Sequence, residues 1–269
     1  MGSGIAQVFA SHRFKVLLYD VSEEAVGRAK LLLAAQLDKL VEKNKITASE
    51  RETTIANLQY STNPDDCLGD LVVEAVVENL DIKCNLINHL LAINSNNTII
   101  TTNTSSLSLT SIASKITSPS RFAGMHFFNP APLMKLVEIV RTGFVADDLI
   151  TSLASVATAL GKTPVICNDS PGFIVNRVAR PYYLEALYLA ETTNTPLEDI
   201  DRLMEASGFP MGPFRLMDLI GNDVNFSVTN IVYDALHQPE RLKPSPIQAL
   251  KVTEGMLGRK SGKGFYDYA

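Results

Sequence analysis

Two residues in the middle of the chain are of types that exchange a proton with an alcohol. His126 lies between apolar residues, and Glu138 follows twelve positions later in another apolar segment. An unperturbed histidine titrates at a pH of about 6.5, so it gains or loses a proton near neutrality. A carboxylate on its other ring nitrogen fixes the tautomer and stabilises the imidazolium. With Ser105 and Asn176 as neutral donors to substrate oxygens, this set could oxidise a secondary alcohol, which loses a proton and a hydride.

Each of the four residues also has a purely structural interpretation. A histidine among Phe and Met residues is typical of a protein core, and Glu138 could be an edge-strand charge that faces water. Ser105 could cap a helix that starts shortly after it. Asn176 could be an ordinary amide on a helix surface. The spacings alone leave both interpretations open.

The first two-thirds of the chain alternate between strand and helix patterns. Such alternation predicts a mostly parallel sheet covered by helices, in which ligands bind at the carboxyl ends of strands. We predict strands at 15–20, 71–76, 98–102, 122–128, 136–140 and 163–167, and helices at 22–43, 81–93 and 147–161.

The pattern changes near residue 170, after which helical segments follow with almost no strand signal. The sequence therefore predicts two domains, an α/β domain over 1–170 and an all-α domain over 171–269. Pro181 is expected to kink the first helix of the second domain. We predict helices at 173–193, 196–207, 213–219, 224–236 and 246–256.

The start of the chain has glycines and an acid at a spacing typical of dinucleotide binding. Gly2 and Gly4 lead into an apolar helix, and Asp20 ends the next predicted strand, 18 residues after Gly2. In such folds the glycines approach the pyrophosphate, and the acid hydrogen-bonds the ribose. A carboxylate repels a 2′-phosphate, so Asp20 favours NAD over NADP. The alternative is that Asp20 is a surface turn residue.

In this pattern a strand and two more glycines come before Gly2, which would be its sixth position. The first strand is therefore missing from the sequence. Because that strand belongs in the middle of the sheet, we expect its absence to expose apolar surface and to leave backbone groups unpaired. Three explanations stay open. The sequence lacks its true N-terminus, a shortened form keeps its fold but binds NAD poorly, or the fold closes the gap in another way.

Composition excludes several classes of protein. A net charge of -5 gives no overall positive field to attract nucleic acid or an anionic membrane. No apolar run of membrane-spanning length and no signal peptide are found in the sequence. Three cysteines without CxxC spacing predict neither a disulfide framework nor a metal site. We expect the protein in a reducing compartment. This would be the cytoplasm, or the mitochondrial matrix if a transit peptide has been removed.

Six segments resemble, in order, the motifs of the 3-hydroxyacyl-CoA dehydrogenase family. The resemblance spans the whole chain and implies a Rossmann-type doubly wound sheet followed by an all-α domain. No enoyl-CoA hydratase region is attached, so the chain resembles the monofunctional form. The matching segments are 2–7, 73–79, 103–107, 124–130, 169–177 and 258–268.

The resemblance also implies roles for the residues introduced above. It makes His126 the catalytic base and Glu138 its partner, with Ser105 and Asn176 at the reacting part of the substrate. Residues implied to bind the cofactor are Gly2 in the phosphate loop, Asp20 at the adenosine ribose, and Glu78, Lys83 and Asn103 near the nicotinamide half.

The implied reaction is the NAD-dependent oxidation of a (S)-3-hydroxyacyl-CoA to a 3-ketoacyl-CoA, in fatty-acid β-oxidation or short-chain acyl-CoA metabolism. An acyl-CoA is the expected substrate, bound in the cleft between the domains. A homodimer through the helical domain is the expected assembly. Two alternatives stay open: a related sugar-acid dehydrogenase, and a non-catalytic family member that has lost its cofactor site.

Overall fold

The structure, a computed structural model, describes residues 1–268. The chain divides into two compact units, an N-terminal unit, Met1–Asp169, and a C-terminal unit, Ser170–Ala269. Among the described residues, no helix has the length and apolar character needed to cross a membrane.

The N-terminal unit alternates strands and helices. Its strands are β1 (Val16–Tyr19), β2 (Leu58–Ser61), β3 (Leu71–Glu74), β4 (Ile99–Thr102), β5 (Phe122–Phe127), β6 (Leu136–Arg141) and β7 (Thr163–Asn168). Its helices are α1 (Gly2–Ser11), α2 (Glu23–Glu42), α3 (Ala48–Ala56), α4 (Leu80–Ile93), α5 (Leu109–Ala113) and α6 (Asp147–Ala159). The C-terminal unit has no named strand among its described residues, so the prediction of an α/β unit followed by a helical one is confirmed.

The main sheet has five strands in the order β3-β4-β5-β6-β7. Strands β3, β4 and β5 run parallel, as do β6 and β7, whereas β5 and β6 are antiparallel. The carboxyl ends of β3, β4 and β5 therefore meet at one edge of the sheet. Because β6 runs in the opposite direction, its first residues lie at that same edge.

Strands β1 and β2 form a separate parallel pair. Within residues 1–268, β1 pairs only with β2, and β3 pairs only with β4. The sheet is therefore interrupted between β1 and β3. Helix α1 joins the two parts, because Ile5 and Val8 pack into the core of the main sheet while Ala6 and Ala10 pack on the smaller pair. All four residues of β1 are only half-buried.

Capping residues explain where several helices begin, and one helix and one strand were not predicted. The Ser22 hydroxyl caps α2 by accepting from the Ala25 N–H, so the helix begins where it was predicted to begin. Ala146 is the N-cap of α6, and Asp147 and Asp148 lie in its first turn, where acids favour the positive end of the helix. Helix α3, which Thr47 opens with a capping box, was not predicted, and neither was β2.

The C-terminal unit consists of helices around one apolar core. They are α7 (Val175–Thr193), α8 (Leu197–Ala206), α9 (Pro213–Ile220), α10 (Asn222–Ala235) and α11 (Pro246–Thr253). Helix α7 starts two residues later than predicted, because Gly172 and Phe173 have left-handed backbones with φ of 74° and 49°. Core side chains include Tyr183, Leu187, Ile200, Phe214, Met217 and Val232.

The end of the described chain is held against this core by one buried carboxylate. Asp218, at 1% exposed, accepts hydrogen bonds from the backbone N–H groups of Phe265 and Tyr266 at 2.9 Å each and from the Tyr268 hydroxyl at 3.0 Å. A carboxylate with several donors is well stabilised inside a protein. The segment 258–268 therefore has a structural anchor of its own.

Candidate active site

His126 and Glu138 lie side by side on neighbouring strands. They are direct partners in the antiparallel pairing of β5 and β6. His126 Nδ1 lies 2.8 Å from Glu138 Oε2, and the two side chains are 7% and 1% exposed. Strand β6 is interior to the sheet, so Glu138 is not an edge-strand charge that faces water. The structure thus brings together the histidine and the carboxylate whose pairing the spacing alone left open.

This geometry has a definite chemical consequence. A buried carboxylate is costly unless it is paired, and here the imidazole supplies the partner. When Nδ1 is protonated, its N–H donates a hydrogen bond to the Glu138 carboxylate, and this hydrogen bond fixes the tautomer. Proton exchange with a substrate then falls to Nε2. The Phe128 ring, with its centroid 4.6 Å from that of His126, limits ring movement on one side.

Asn103 and Ser105 follow the carboxyl end of β4. The Asn103 N–H donates to the Glu74 carbonyl at 2.7 Å, and its Oδ1 accepts from the Phe127 N–H at 2.7 Å. Asn103 therefore links the ends of β3, β4 and β5 beside His126. Ser105 is half-buried, and it does not cap α5, because Ser108 does so. Its structural interpretation as a helix cap is therefore wrong.

Glu78 and Lys83 lie after β3, at the start of α4. Lys83 Nζ is 3.2 Å from Glu78 Oε2, and Glu78 also accepts hydrogen bonds from the hydroxyls of Thr104 and Ser106. Burial raises the pKa of Glu78, but the bonds from Thr104 and Ser106 and the Lys83 ammonium lower it more. The net direction is downward, so Glu78 is ionised at neutral pH.

Gly2 and Asp20 belong to the part of the unit around α1 and β1. Gly2 is the first residue of α1, and a Cβ there would lie 3.9 Å from that of Ala75, just after β3. Asp20 follows β1 directly, is exposed, and accepts from the Ser22 N–H at 3.0 Å through Oδ1. Among the described residues neither makes a hydrogen bond with the His126–Glu138 pair.

Asn176 is the one candidate residue in the C-terminal unit; the other eight lie in the N-terminal unit. It is the second residue of α7, it is half-buried, and its carbonyl accepts from Arg180 Nε at 2.9 Å. Within residues 1–268, no group of three or more His, Cys, Asp or Glu side chains is arranged to hold a metal ion.

Known protein families account for both units. Residues 1–170 match the family described as 3-hydroxyacyl-CoA dehydrogenase, NAD binding domain, and residues 172–268 match its C-terminal domain. The chain belongs to the 3-hydroxyacyl-CoA dehydrogenase family. The resemblance drawn from the sequence motifs is therefore confirmed.

Individual relatives of this dehydrogenase family differ in length. A 3-hydroxyadipyl-CoA dehydrogenase of Escherichia coli K12 is 48% identical over 270 residues, and the alignment covers all of this chain but 57% of that protein. A mitochondrial hydroxyacyl-coenzyme A dehydrogenase of Sus scrofa is 41% identical, with 100% and 88% covered. The crystal structure of a (S)-3-hydroxybutyryl-CoA dehydrogenase from Ralstonia eutropha superposes with a TM-score of 0.94 at 36% identity, with 100% and 95% covered.

NAD is the cofactor of this dehydrogenase family, and residues of the chain fit it. The first turn of a helix attracts a pyrophosphate through its N–H groups, and α1 opens with Gly2 at such a position. Asp20 supplies a carboxylate after a strand, where ribose hydroxyls are bound in dinucleotide folds.

One buried charged residue that contacts the candidate residues was not predicted from the sequence. Glu74, the last residue of β3, is 3% exposed and lies 2.8 Å from Lys83 Nζ. A glutamate inside an otherwise apolar strand was the available signal, since such a residue needs a buried cation or several donors.

Proposed function

We propose that the chain catalyses the reversible, NAD-dependent oxidation of (S)-3-hydroxyacyl-CoA to 3-ketoacyl-CoA, in fatty-acid β-oxidation or short-chain acyl-CoA metabolism. The observation that carries the proposal is the buried pair of His126 and Glu138, 2.8 Å apart on adjacent strands. Family membership supports the same reaction, and the relatives are named for it. An acyl-CoA substrate is consistent with the family.

His126 accepts the proton of the 3-hydroxyl through Nε2 in the oxidative direction. Glu138 stabilises the imidazolium that forms, because its carboxylate is buried beside Nδ1 and is poorly screened by water. In the reductive direction the imidazolium returns the proton to the oxygen of the former ketone. Bound NAD supplies the hydride acceptor for C3.

The other candidate residues bind and orient. Ser105 and Asn176 hold oxygens at the reacting part of the acyl group, and Asn103 and Glu78 contact the nicotinamide half of the cofactor. Gly2 lets the phosphates approach the start of α1, and Asp20 accepts from the adenosine ribose. These roles rest on the family resemblance and on the location of the residues at strand ends and helix starts.

We further propose that residues 1–170 form the NAD-binding domain and that residues 171–269 contribute to substrate binding and to a homodimer. The three cysteines take part in no disulfide among the described residues. This is consistent with a reducing compartment, either the cytoplasm or the mitochondrial matrix.

The test is NADH oxidation followed at 340 nm with acetoacetyl-CoA, with NADPH and free acetoacetate as controls. The proposal predicts rapid turnover with NADH and the thioester, and little with NADPH or the free acid. A preference for the free acid would favour a sugar-acid type of dehydrogenase. Absence of both NADH binding and turnover would point to a non-catalytic family member that has lost its cofactor site.

A further inference from the structure

Glu74 carries a fully buried carboxylate at the end of β3. Its side chain is 0% exposed, and each oxygen has a donor of its own. Oε1 accepts from Lys83 Nζ at 2.8 Å and from the Val76 N–H at 2.6 Å, and Oε2 accepts from the Thr102 hydroxyl at 2.6 Å. These bonds tie the carboxylate to β4 and to the loop after β3, so its position is fixed independently of any ligand.

Lys83 is the cation that this carboxylate holds. Its side chain is 1% exposed, and its ammonium lies near Glu74 Oε1, the Val76 carbonyl at 3.3 Å and Glu78 Oε2 at 3.2 Å. An ammonium has three N–H donors. All three have partners within the chain, and one of these partners, Glu78, is itself a proposed cofactor contact.

Glu78 is the member of the network that reaches the surface. Its side chain is 36% exposed, while Glu74 and Lys83 beneath it are buried. One oxygen accepts from Thr104 and Ser106, and the other from Lys83. A carboxylate has about four acceptor sites. Three are occupied, which leaves one for a hydroxyl or amide donor of a ligand.

We infer that Glu74 is a positioning residue for the cofactor site, one that holds Lys83 so that Lys83 orients the Glu78 carboxylate toward a donor group of the nicotinamide half. This inference rests on the proposed function, because Glu78 is placed there by that proposal. It adds a residue that touches no ligand and acts through two others.

The test compares Glu74→Gln with Thr101→Val. Thr101 lies on β4 next to Thr102, is 0% exposed, and donates to the Val72 carbonyl at 2.9 Å, so its replacement also removes a buried hydrogen bond but leaves the network intact. NADH affinity is measured by fluorescence titration, and KM for NADH and kcat are measured separately. We expect Glu74→Gln to raise the Kd and the KM for NADH by about ten-fold, with a smaller change in kcat. Thr101→Val leaves both close to wild type.

A second comparison asks whether Glu74 acts through Glu78. In a Glu78→Gln background, Glu74→Gln should raise the Kd by much less than ten-fold, because the group it orients is already impaired. Thr102→Val removes one donor from Glu74, and also the acceptor of the Thr104 N–H, while it keeps every charge. It should raise the Kd by roughly three-fold, and it replaces Glu74→Gln in the comparison with the Glu78→Gln background if Glu74→Gln does not fold.

Three results would overturn the inference: an unchanged NADH Kd in folded Glu74→Gln or Thr102→Val, an equal effect of Thr101→Val, or independent effects of the Glu74 and Glu78 substitutions. NADH titration needs no acyl-CoA. A wild-type chain that binds NADH without reducing acetoacetyl-CoA therefore contradicts the proposed function alone, and the titrations still decide the role of Glu74. Absence of NADH binding by the wild type overturns both.

Discussion

In the proposed mechanism, the buried carboxylate of Glu138 orients the His126 ring through Nδ1 and stabilises the imidazolium. Glu138→Gln keeps the shape and a hydrogen-bond acceptor but removes the charge that stabilises the imidazolium. We expect kcat with acetoacetyl-CoA to fall by about 10²-fold or more, while the Kd for NADH stays close to wild type. Glu52→Gln, at an exposed site on α3, is the matched control. Comparable activity in the two variants would make Glu138 a structural residue.

Replacement of His126 should slow the reaction without weakening NADH binding. Because Gln cannot exchange a proton near neutral pH, His126→Gln should lower kcat by about 10³-fold or more. The same variant should titrate with NADH as the wild type does. Steady-state rates and fluorescence titrations on one preparation measure both quantities. Unimpaired turnover would remove His126 from the proton-transfer step.

Cys167 should be an unreactive thiol in the folded protein. Burial, with smaller contributions from the charges of Glu138 and Asp169, raises its pKa to about 12. An unfolded cysteine titrates at about 8.5, and the thiolate is the reactive form. Since the folded pKa is the higher one, the neutral thiol adds stability that is fully present below pH of about 8.5 and is lost as the pH rises towards 12.

Iodoacetamide labelling read by mass spectrometry checks this prediction. At pH 9 we expect little label on Cys167 in the native protein and complete label in urea. Rapid native labelling at pH 9 would contradict the raised pKa. Cys67 and Cys84, whose pKa values burial also raises, provide an internal comparison.

At the scale of elements, Gly124 lets β5 lie close enough to its neighbours to present His126. A Cβ at this position would lie 2.7 Å from Leu109 Cδ2 and 2.8 Å from Val140 Cβ. Overpacking of this kind costs about 1–3 kcal/mol or more. We therefore expect Gly124→Ala to lower the free energy of unfolding by this amount and to reduce kcat, since His126 is two residues away.

Gly27→Ala is the control, because nothing lies within 4 Å of a Cβ at that exposed position of α2. It should stabilise the protein by about 0.5–1 kcal/mol. Urea unfolding of both variants measures the difference. Equal free energies of unfolding would show that β5 can shift to accommodate the methyl group.

Elements with strong patterns could be predicted from sequence, and weak ones could not. The apolar runs that became β3 to β7 stand out by composition alone. Strand β2 does not, since only Leu58 of its four residues is buried. The antiparallel course of β6 was also outside the prediction, because the direction of a strand depends on its neighbours in space.

The candidate site was predictable to a similar extent. His126 and Glu138 lie opposite each other because β5 and β6 pair in this register. Their spacing in the sequence was compatible with such a pair but did not predict it. Glu74, Thr104 and Ser106 were missed, because their importance comes from contacts across two strands and a helix start. Motif order identified the family, but a network of buried polar groups becomes visible only in three dimensions.

At the scale of the whole molecule, the candidate residues are divided between the two units. The N-terminal unit holds the pair of His126 and Glu138 and the proposed cofactor contacts, and the C-terminal unit holds Asn176. The chain spans all of the aligned region of its E. coli relative but 57% of that protein's length. In the proposed reaction, hydride moves between C3 of an acyl-CoA and NAD while His126 exchanges the proton of the 3-hydroxyl.

The most direct measurement follows the hydrogen on C3. The wild-type chain is incubated with NAD and (S)-3-hydroxybutyryl-CoA carrying deuterium on C3, and the products are analysed by mass spectrometry. We expect acetoacetyl-CoA without deuterium at C3 and NADH that has gained one deuterium. NADH that forms without the label, or a labelled substrate that stays intact in the presence of bound NAD, would contradict the proposed reaction.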